Sequence, residues 1–572
     1  MKNKISKILL VAVVSVALYA CKKIFLNAQP QGVLSEATLA NEKGINKLLL
    51  AAYAILDGHD DALGLGGEWG TSGSNFNYGS IGGGEANKGS DPGDQGPNIA
   101  SVMRHEVPAT NAGINDRWKT LYEGIKRCNI VLEVLTQAPE IDDIARKNII
   151  GQARFLRSWY HFQARITFGK IPYIDEKIDE DFVLGKIPGV ANDAETWPRI
   201  LEDAKFAYEN LPAAQDEIGR INKWTAGALY GKILMFAMDF AMAKTVLTDV
   251  VDNGTNSWGV HFDLNKNFDD NFNVDFDNSK ESVFAFQSSA NDGAGGQNGN
   301  WGDALNRPAG AVSCCGFFDP TYYLTNSYKT DAAGLPVANP DNKNVLDTSF
   351  GQGALTQYSG NVDTRLDWTV GRSGVPYYDW GTVVPGWVED QSSGPFHSKK
   401  NVIRKSQVGV AYDQSFWAVS AVTSLNINLI RFADVILLLA EAEVEVGSLN
   451  TAFDLVNRIR LRARNSRTVD YPSSLGTPKT EPYTSVFVSK AEARTAVRLE
   501  RKLELAMEGH RFFDLVRWGT SSTEINDYFN YESSFSYQKI LNNPIPQYTN
   551  DKDYYPIPQQ QIDLGKGLLK QN

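Results

Sequence analysis

The chain has few of the residues on which small scaffolds and common catalytic motifs depend. Four cysteines in 572 residues rule out a fold built on disulfides. No CxxC pair is present to offer a thiolate zinc site. The six histidines (59, 105, 161, 261, 397 and 510) are scattered without a close pair, and HExxH is absent. There is no GxSxG elbow and no Walker A loop, and the glycine clusters at 64–70 and 82–84 do not satisfy GxGxxG. Beyond the N-terminus no stretch stays apolar for the ~18 residues that a membrane-crossing helix needs. Positive charge is also short. The 56 Lys and Arg against 67 Asp and Glu leave a net charge of −11, which gives no basic field for non-specific nucleic-acid binding. What remains is a globular balance of 42% hydrophobic and 22% charged residues, enough for a buried core. The length exceeds the ~100–200 residues of one ordinary domain, so the chain forms several domains or one heavily elaborated scaffold.

The N-terminus sets the compartment. Lys2, Lys4 and Lys7 precede an apolar run from Ile8 to Leu18, a charged start and short apolar stretch of signal-peptide form over residues 1–20. Leu18-Tyr19-Ala20-Cys21 resembles the lipobox of bacterial lipoproteins. That implies lipidation at Cys21, with a diacylglyceryl group on the thiol and an N-acyl chain after cleavage. Each buried CH₂ contributes ~0.8 kcal/mol, so several chains anchor firmly. The alternative is an ordinary secretory signal with a chance cysteine. Of the other cysteines, Cys128 sits in a helical pattern and reads as a small buried hydrophobe. The adjacent Cys314 and Cys315 read as free thiols, because a ring closed between neighbours is strained.

Helical spacing dominates two stretches. Ile45, Leu48, Leu49, Ala52 and Leu56 share one face, as do Trp118, Leu121, Tyr122, Ile125, Leu132 and Leu135. A further helix is expected from about Ile141 to Phe168, another around Ile200–Leu211, and two over Trp224–Val251 with a break near Asp239. The reading is mainly α: a tetratricopeptide-like scaffold of helix pairs, without a strict 34-residue repeat. Late in the chain Leu429–Val446 is strongly apolar, Gly447 can end it, and Thr451–Arg464 forms its partner. Ser489 and Glu492 have capping-box spacing, opening a helix toward Arg517.

Two stretches break this pattern. Between Gly58 and Ile99, thirteen of 42 residues are glycine, with Trp69, Phe76 and Tyr78 interspersed; long loops in compact proteins are commonly functional. From 258 to 417 the chain is mixed and loop-rich, with a strand-like Ser282–Phe286 and six of the twelve tryptophans. The boundaries expected are a helical region at 21–255 and a second at 256–572 that contains this insert. The alternating Asp and Asn residues from Asp263 to Asp277 fail the EF-hand pattern. Val274 and Lys280 stand where that loop needs Gly and Glu, so the run reads as Asx turns and no metal site is expected.

The late motifs resemble those of the SusD/RagB family of outer-membrane nutrient-binding lipoproteins. The strongest match is Glu500–Gly519, similar to the family's ER-x-x-EL-x-x-EG-x-R-x-x-DL-x-RWG. Ile430–Val435 with Ala440-Glu441-Ala442, Val456–Arg460, Ala153–Tyr160, Phe168–Tyr173, Tyr555–Pro558 and the terminal Gln571-Asn572 follow in family order. Physically, the Glu500–Trp518 charges lie among Leu503, Leu505, Phe512 and Phe513, so a structural role on one helix is expected. Arg501, Glu504, Glu508 and Arg511 would pair along a single face.

The resemblance implies a non-enzymatic receptor without cofactor, lipid-anchored at the cell outer membrane and facing the exterior. It would bind an oligosaccharide and deliver it to a SusC-like TonB-dependent transporter, with the lipid as its only membrane contact and no nucleic-acid partner. Lys22 and Lys23 stand where the family's acidic export tag would follow the cysteine. A surface glycosidase, a peptide-binding member of the family and a purely protein-binding scaffold remain open alternatives. Sugar rings offer apolar faces and polar rims, so aromatic residues on glycine-rich loops beside amides and acids are the candidates. Trp69, Asn75, Phe76, Tyr78 and Glu85 form one group. Trp301, Arg372, Tyr377, Trp380 and Trp387 form the second.

Overall fold

The computed structural model describes residues 36–58, 69–94, 96–312, 315–337, 358–388, 390, 394–414, 422–535, 537–542 and 544–572. Cys21 and the signal-like segment lie outside them. No helix among the described residues is long and apolar enough to cross a membrane.

Side chains that take up otherwise unpaired amide groups set many of the helix starts. Helix α1 (Glu42–Ala54) opens on Asn41, α2 (Ala112–Thr136) on Asn111 and α3 (Asp143–Phe168) on Asp142, each side chain accepting a first-turn N–H. Helix α4 (Trp197–Asn210) has proline in its first turn. The break expected near Asp239 is there: α5 (Lys223–Phe236) ends, and Asp239 caps α6 (Phe240–Asn253) through the Met242 N–H. Each of these helices packs on the next, and α6 packs on α7 (Phe432–Val446), which carries α8 (Leu449–Asn465) and α9 (Lys490–Glu504). The result is the mainly helical, tetratricopeptide-like array that the apolar spacing calls for, with one continuous core.

Two late elements differ from the sequence reading. Leu429–Arg431 is not helical. It belongs to strand β4 (Ile427–Arg431), which pairs antiparallel with β2 (Ser282–Phe286), and the helix starts only at Phe432. The Glu500–Trp518 stretch is not one helix either. It breaks at Leu505–His510, where Met507 (φ 66°) and Gly509 (φ 77°) are left-handed, and resumes as α10 (Arg511–Arg517).

The motif charges therefore pair across the fold and not along one face. Glu504 accepts from Arg365 (2.8 Å), Arg431 (2.6 Å) and Arg462. Glu508 takes Lys400 and Arg431, Glu500 takes Arg365 and Arg460, Glu281 takes Arg431 and Arg462, and Asp363 takes Arg365. Five cations thus face five carboxylates, all buried except the half-buried Glu508. Burial of that many charges is tolerable because each is matched and hydrogen-bonded. Arg501 pairs with Asp434 and Asp514, and Arg511 with Glu524.

The Asx-rich run is structural, as expected. Asp269 takes Arg404 and Arg467, Asp270 takes Arg467, and the Asn265 amide donates to Asn271 and Ser279. Cys128 is buried and free. Cys315 is disulfide-bonded, which corrects the free-thiol expectation for it; its partner lies outside the described residues.

Candidate ligand-binding site

The glycine-rich loop is held from behind by α2 and α3. Arg117 of α2 donates to the carbonyls of Thr71 and Ser72, to Asn75 Oδ1 and to Gln163 Oε1 of α3, while Asn75 Nδ2 donates to the same Gln163 oxygen at 2.8 Å. Phe76–Ile81 forms a wide helical turn whose Phe76, Tyr78 and Ile81 side chains are buried. Strand β1 (Ala86–Gly89) then pairs antiparallel with β3 (Phe317–Pro320), tying this loop to the later insert.

The expected contacts divide sharply. Trp69 and Trp301, remote in sequence, come together as a stacked pair with ring centroids 4.1 Å apart and planes 18° from parallel. Both are only half-buried and rest on Ala304 and Val422. Trp380 and Trp387 are also half-buried, and pack with Tyr378 on Val312, Val383 and Val402. Trp380 donates its indole N–H to the Ile403 carbonyl at 2.9 Å, and Asn401 Nδ2 reaches Asp303, two residues after Trp301, at 2.8 Å. One three-residue stretch, Asn401–Ile403, thereby braces both aromatic platforms.

The other expected contacts turn inward or serve the loop. Phe76, Tyr78, Glu85, Arg372 and Tyr377 are each at most 2% exposed and present no surface to a ligand. Arg372 is held by Asp367 and the Leu475 carbonyl, and the Tyr377 hydroxyl by the Ser398 carbonyl. Asn75 is half-exposed but committed to Arg117 and Gln163. Residue type alone does not reveal this. Arginine and tyrosine are common at binding faces, and only the buried partners Asp367 and Ser398 distinguish the two cases. Asn401 and Asp303 escaped notice because no aromatic motif marks them, although Asn300, Asp303 and Asn306 repeat every third residue.

Glu85 is an acid in the interior. Burial raises its carboxyl to about 7, against the opposing hydrogen bonds from Ser80 and the Met507 N–H. A raised carboxyl favours the folded state when protonated. Its contribution is present in acid and is lost as pH rises from ~4.3, the unfolded value, through about 7. Glu85→Gln, which keeps an acceptor for Met507, is therefore expected to stabilise the protein by roughly 1–3 kcal/mol at pH 8 and by little at pH 5. Thermal melts at the two pH values measure the difference, and equal effects at both would contradict it.

The helix-pair array thus carries two half-buried tryptophan pairs on its loops. The chain belongs to the SusD family, whose model matches residues 280–572. Residues 91–235 match a second model, described as starch-binding and associating with the outer membrane. A SusD-like protein of Formosa agariphila is 23% identical over 494 residues, covering 81% of this chain and 80% of that protein. Two solved structures share the fold. A SusD superfamily protein from Bacteroides vulgatus has a TM-score of 0.66 at 21% identity, covering 93% of this chain and 98% of its own. Surface glycan-binding protein A from Bacteroides thetaiotaomicron, in complex with laminarihexaose, has a TM-score of 0.63 at 20% identity, covering 93% and 99%.

Proposed function

We propose that this protein is a lipoprotein, anchored through Cys21 on the outer face of the outer membrane. It grips an oligosaccharide without altering it and hands it to a SusC-like TonB-dependent transporter. The stacked, half-exposed Trp69–Trp301 pair carries this reading. Two parallel indoles make a flat, rigid apolar surface of the kind that covers a sugar face at low entropic cost. Asn401 and the Trp380–Trp387 platform, braced by the same stretch, supply polar and aromatic contacts for further sugar units. The family match and the laminarihexaose complex of a structural neighbour support a glycan, and make a laminarin oligosaccharide the first ligand to test.

Calorimetry with laminarihexaose and a panel of other glycans tests it. Trp301→Ala and Trp380→Ala are each expected to weaken binding by ~1–3 kcal/mol, the worth of a well-buried aromatic side chain, with the sugar recovered intact. Unchanged affinity in both variants overturns the placement, and cleaved products overturn the non-enzymatic reading.

A further inference from the structure

A cleft of about 350 Å³ lies between residues 105–107 and the last stretch of the chain, residues 551–552, 554–556 and 571–572. Its size is that of a small-molecule site, and no residue of the two tryptophan clusters lines it. Its walls are fixed by their own hydrogen bonds. Gln571 clasps Ile557 through both amide atoms, accepting from its N–H at 2.9 Å and donating to its carbonyl at 2.6 Å. Asn572 holds the Lys170 N–H and the Phe168 carbonyl in the same way. Tyr555 is buried, with its hydroxyl on the Tyr78 carbonyl at 3.2 Å. Its neighbour Tyr554 stays 37% exposed. That ring rests on Gly169, where an added Cβ would lie 2.9 Å from Tyr554 Cγ, and the Arg165 guanidinium stands 5.7 Å from its centroid.

His105 also lines the cleft, although only 5% exposed. Its φ of 51° is a left-handed conformation uncommon outside glycine. Burial lowers its ring to about 4, so the imidazole is neutral at physiological pH. The Gly82 carbonyl, 2.8 Å from Nε2, can only accept, so Nε2 carries the proton and Nδ1 presents a lone pair. Among the described residues nothing donates to Nδ1. A costly backbone conformation that points an unused acceptor at a preformed cleft is the mark of a ligand contact.

We infer that this cleft is a second carbohydrate site, separate from the tryptophan platforms and suited to a short neutral sugar. The apolar face of the sugar covers Tyr554 and Pro556, and one hydroxyl donates to His105 Nδ1. The Lys552 ammonium spends one N–H on the Gln547 carbonyl at 2.6 Å and keeps two for other hydroxyls, which the exposed Asp551 carboxylate also meets. The charges of the lining cancel. Lys552 follows Asp551, and Glu106 is taken by Arg104 at 2.7 and 3.0 Å, so neither an anion nor a cation is favoured. A purely apolar ligand would leave the imidazole, ammonium and carboxylate without partners.

Saturation-transfer NMR tests the site on purified full-length protein carrying Trp301→Ala and Trp380→Ala, with glucose, galactose, mannose, xylose and laminaribiose as probes. With the platforms disabled, at least one of these sugars is expected to bind. Tyr554→Ala in the same background is expected to weaken that binding about tenfold, the worth of one aromatic contact. No signal from any of these sugars, or binding that Tyr554→Ala leaves unchanged, overturns the site. Wild-type protein with ¹⁵N-labelled histidine gives a check that needs no variant. The His105 Nδ1 resonance is expected to move when the same sugars are added, and a resonance unmoved by all of them overturns the site. Should the triple variant fail to fold, this measurement decides alone. Neither readout depends on glycan binding at the platforms.

Discussion

Replacing Glu504 by glutamine is expected to destabilise the protein by about 3–5 kcal/mol, the cost of breaking a buried ionic cluster from one side. Glu504 is the point where Arg365, Arg431 and Arg462 meet. Neutralising it leaves three guanidinium groups, two of them at most 1% and the third 4% exposed, with one carboxylate fewer among them. Urea unfolding measures the change as a fall in midpoint at unaltered slope. The surface pair Arg494–Glu445, whose arginine side chain is 40% exposed, provides the contrast: Glu445→Gln is expected to cost under about 1 kcal/mol. A Glu504 effect as small as that one would show that the network is not what holds α9 in place.

The same carboxylate makes a signed statement about acid. Burial pushes Glu504 up, but Arg462, Arg431 and Arg365 outweigh it and hold the group well below the usual carboxylate range. Its stabilising contribution is therefore complete above ~4.3, the unfolded value, and is lost as pH falls toward the depressed folded value. The gap between wild type and Glu504→Gln is expected to narrow on acidification. Glu85 runs the other way, its raised carboxyl weakening the fold as pH climbs through about 7, so the two variants separate by the sign of their pH dependence.

The helical frame was legible because its signals are local. Asp239 between two apolar runs, Gly447 after Val446 and Ser489 before Glu492 each mark an end through a cap that involves only near neighbours. The charged motif was legible as a motif, but its geometry was not. Spacings of three and four residues imply pairing along a helix. Here the helix stops at Glu504, and its carboxylates find arginines supplied by distant elements. Long-range pairing likewise converted Leu429–Arg431 from an apolar helix start into a strand against Ser282–Phe286. The platforms were half legible for the same reason. Tryptophans on glycine-rich loops can be picked out one by one, yet the stacking of Trp69 on Trp301 and the burial of Tyr377 depend on which loops meet, and no local spacing encodes that.

Gly509 shows why one motif position admits no side chain, and Gly509→Ala is expected to cost roughly 2–5 kcal/mol. Its φ of +77° is left-handed, and an added Cβ would lie 2.1 Å from the Ser74 carbonyl oxygen. That neighbour is backbone and cannot rotate away. The approach is mutual: a Cβ on Gly79 would lie 1.9 Å from the Gly509 carbonyl oxygen, and the Gly509 N–H donates to Ser80 Oγ at 2.9 Å. The break after α9 is thus pressed directly against the loop that carries Trp69 and Ser74. Displacing it is expected to weaken glycan binding as well as stability, because the Ser74 hydroxyl holds Asp303 beside Trp301. Gly519→Ala separates backbone strain from the clash. Gly519 has φ +67° with nothing within 4 Å of an added Cβ, so only the strain of about 1 kcal/mol is expected, with affinity unchanged. Equal losses in the two variants would mean that strain alone accounts for Gly509 and that the close approach adds nothing. A larger loss at Gly509, joined by weaker binding, would show that the family's Glu-Gly step sets the position of the loop on which the aromatic platform stands.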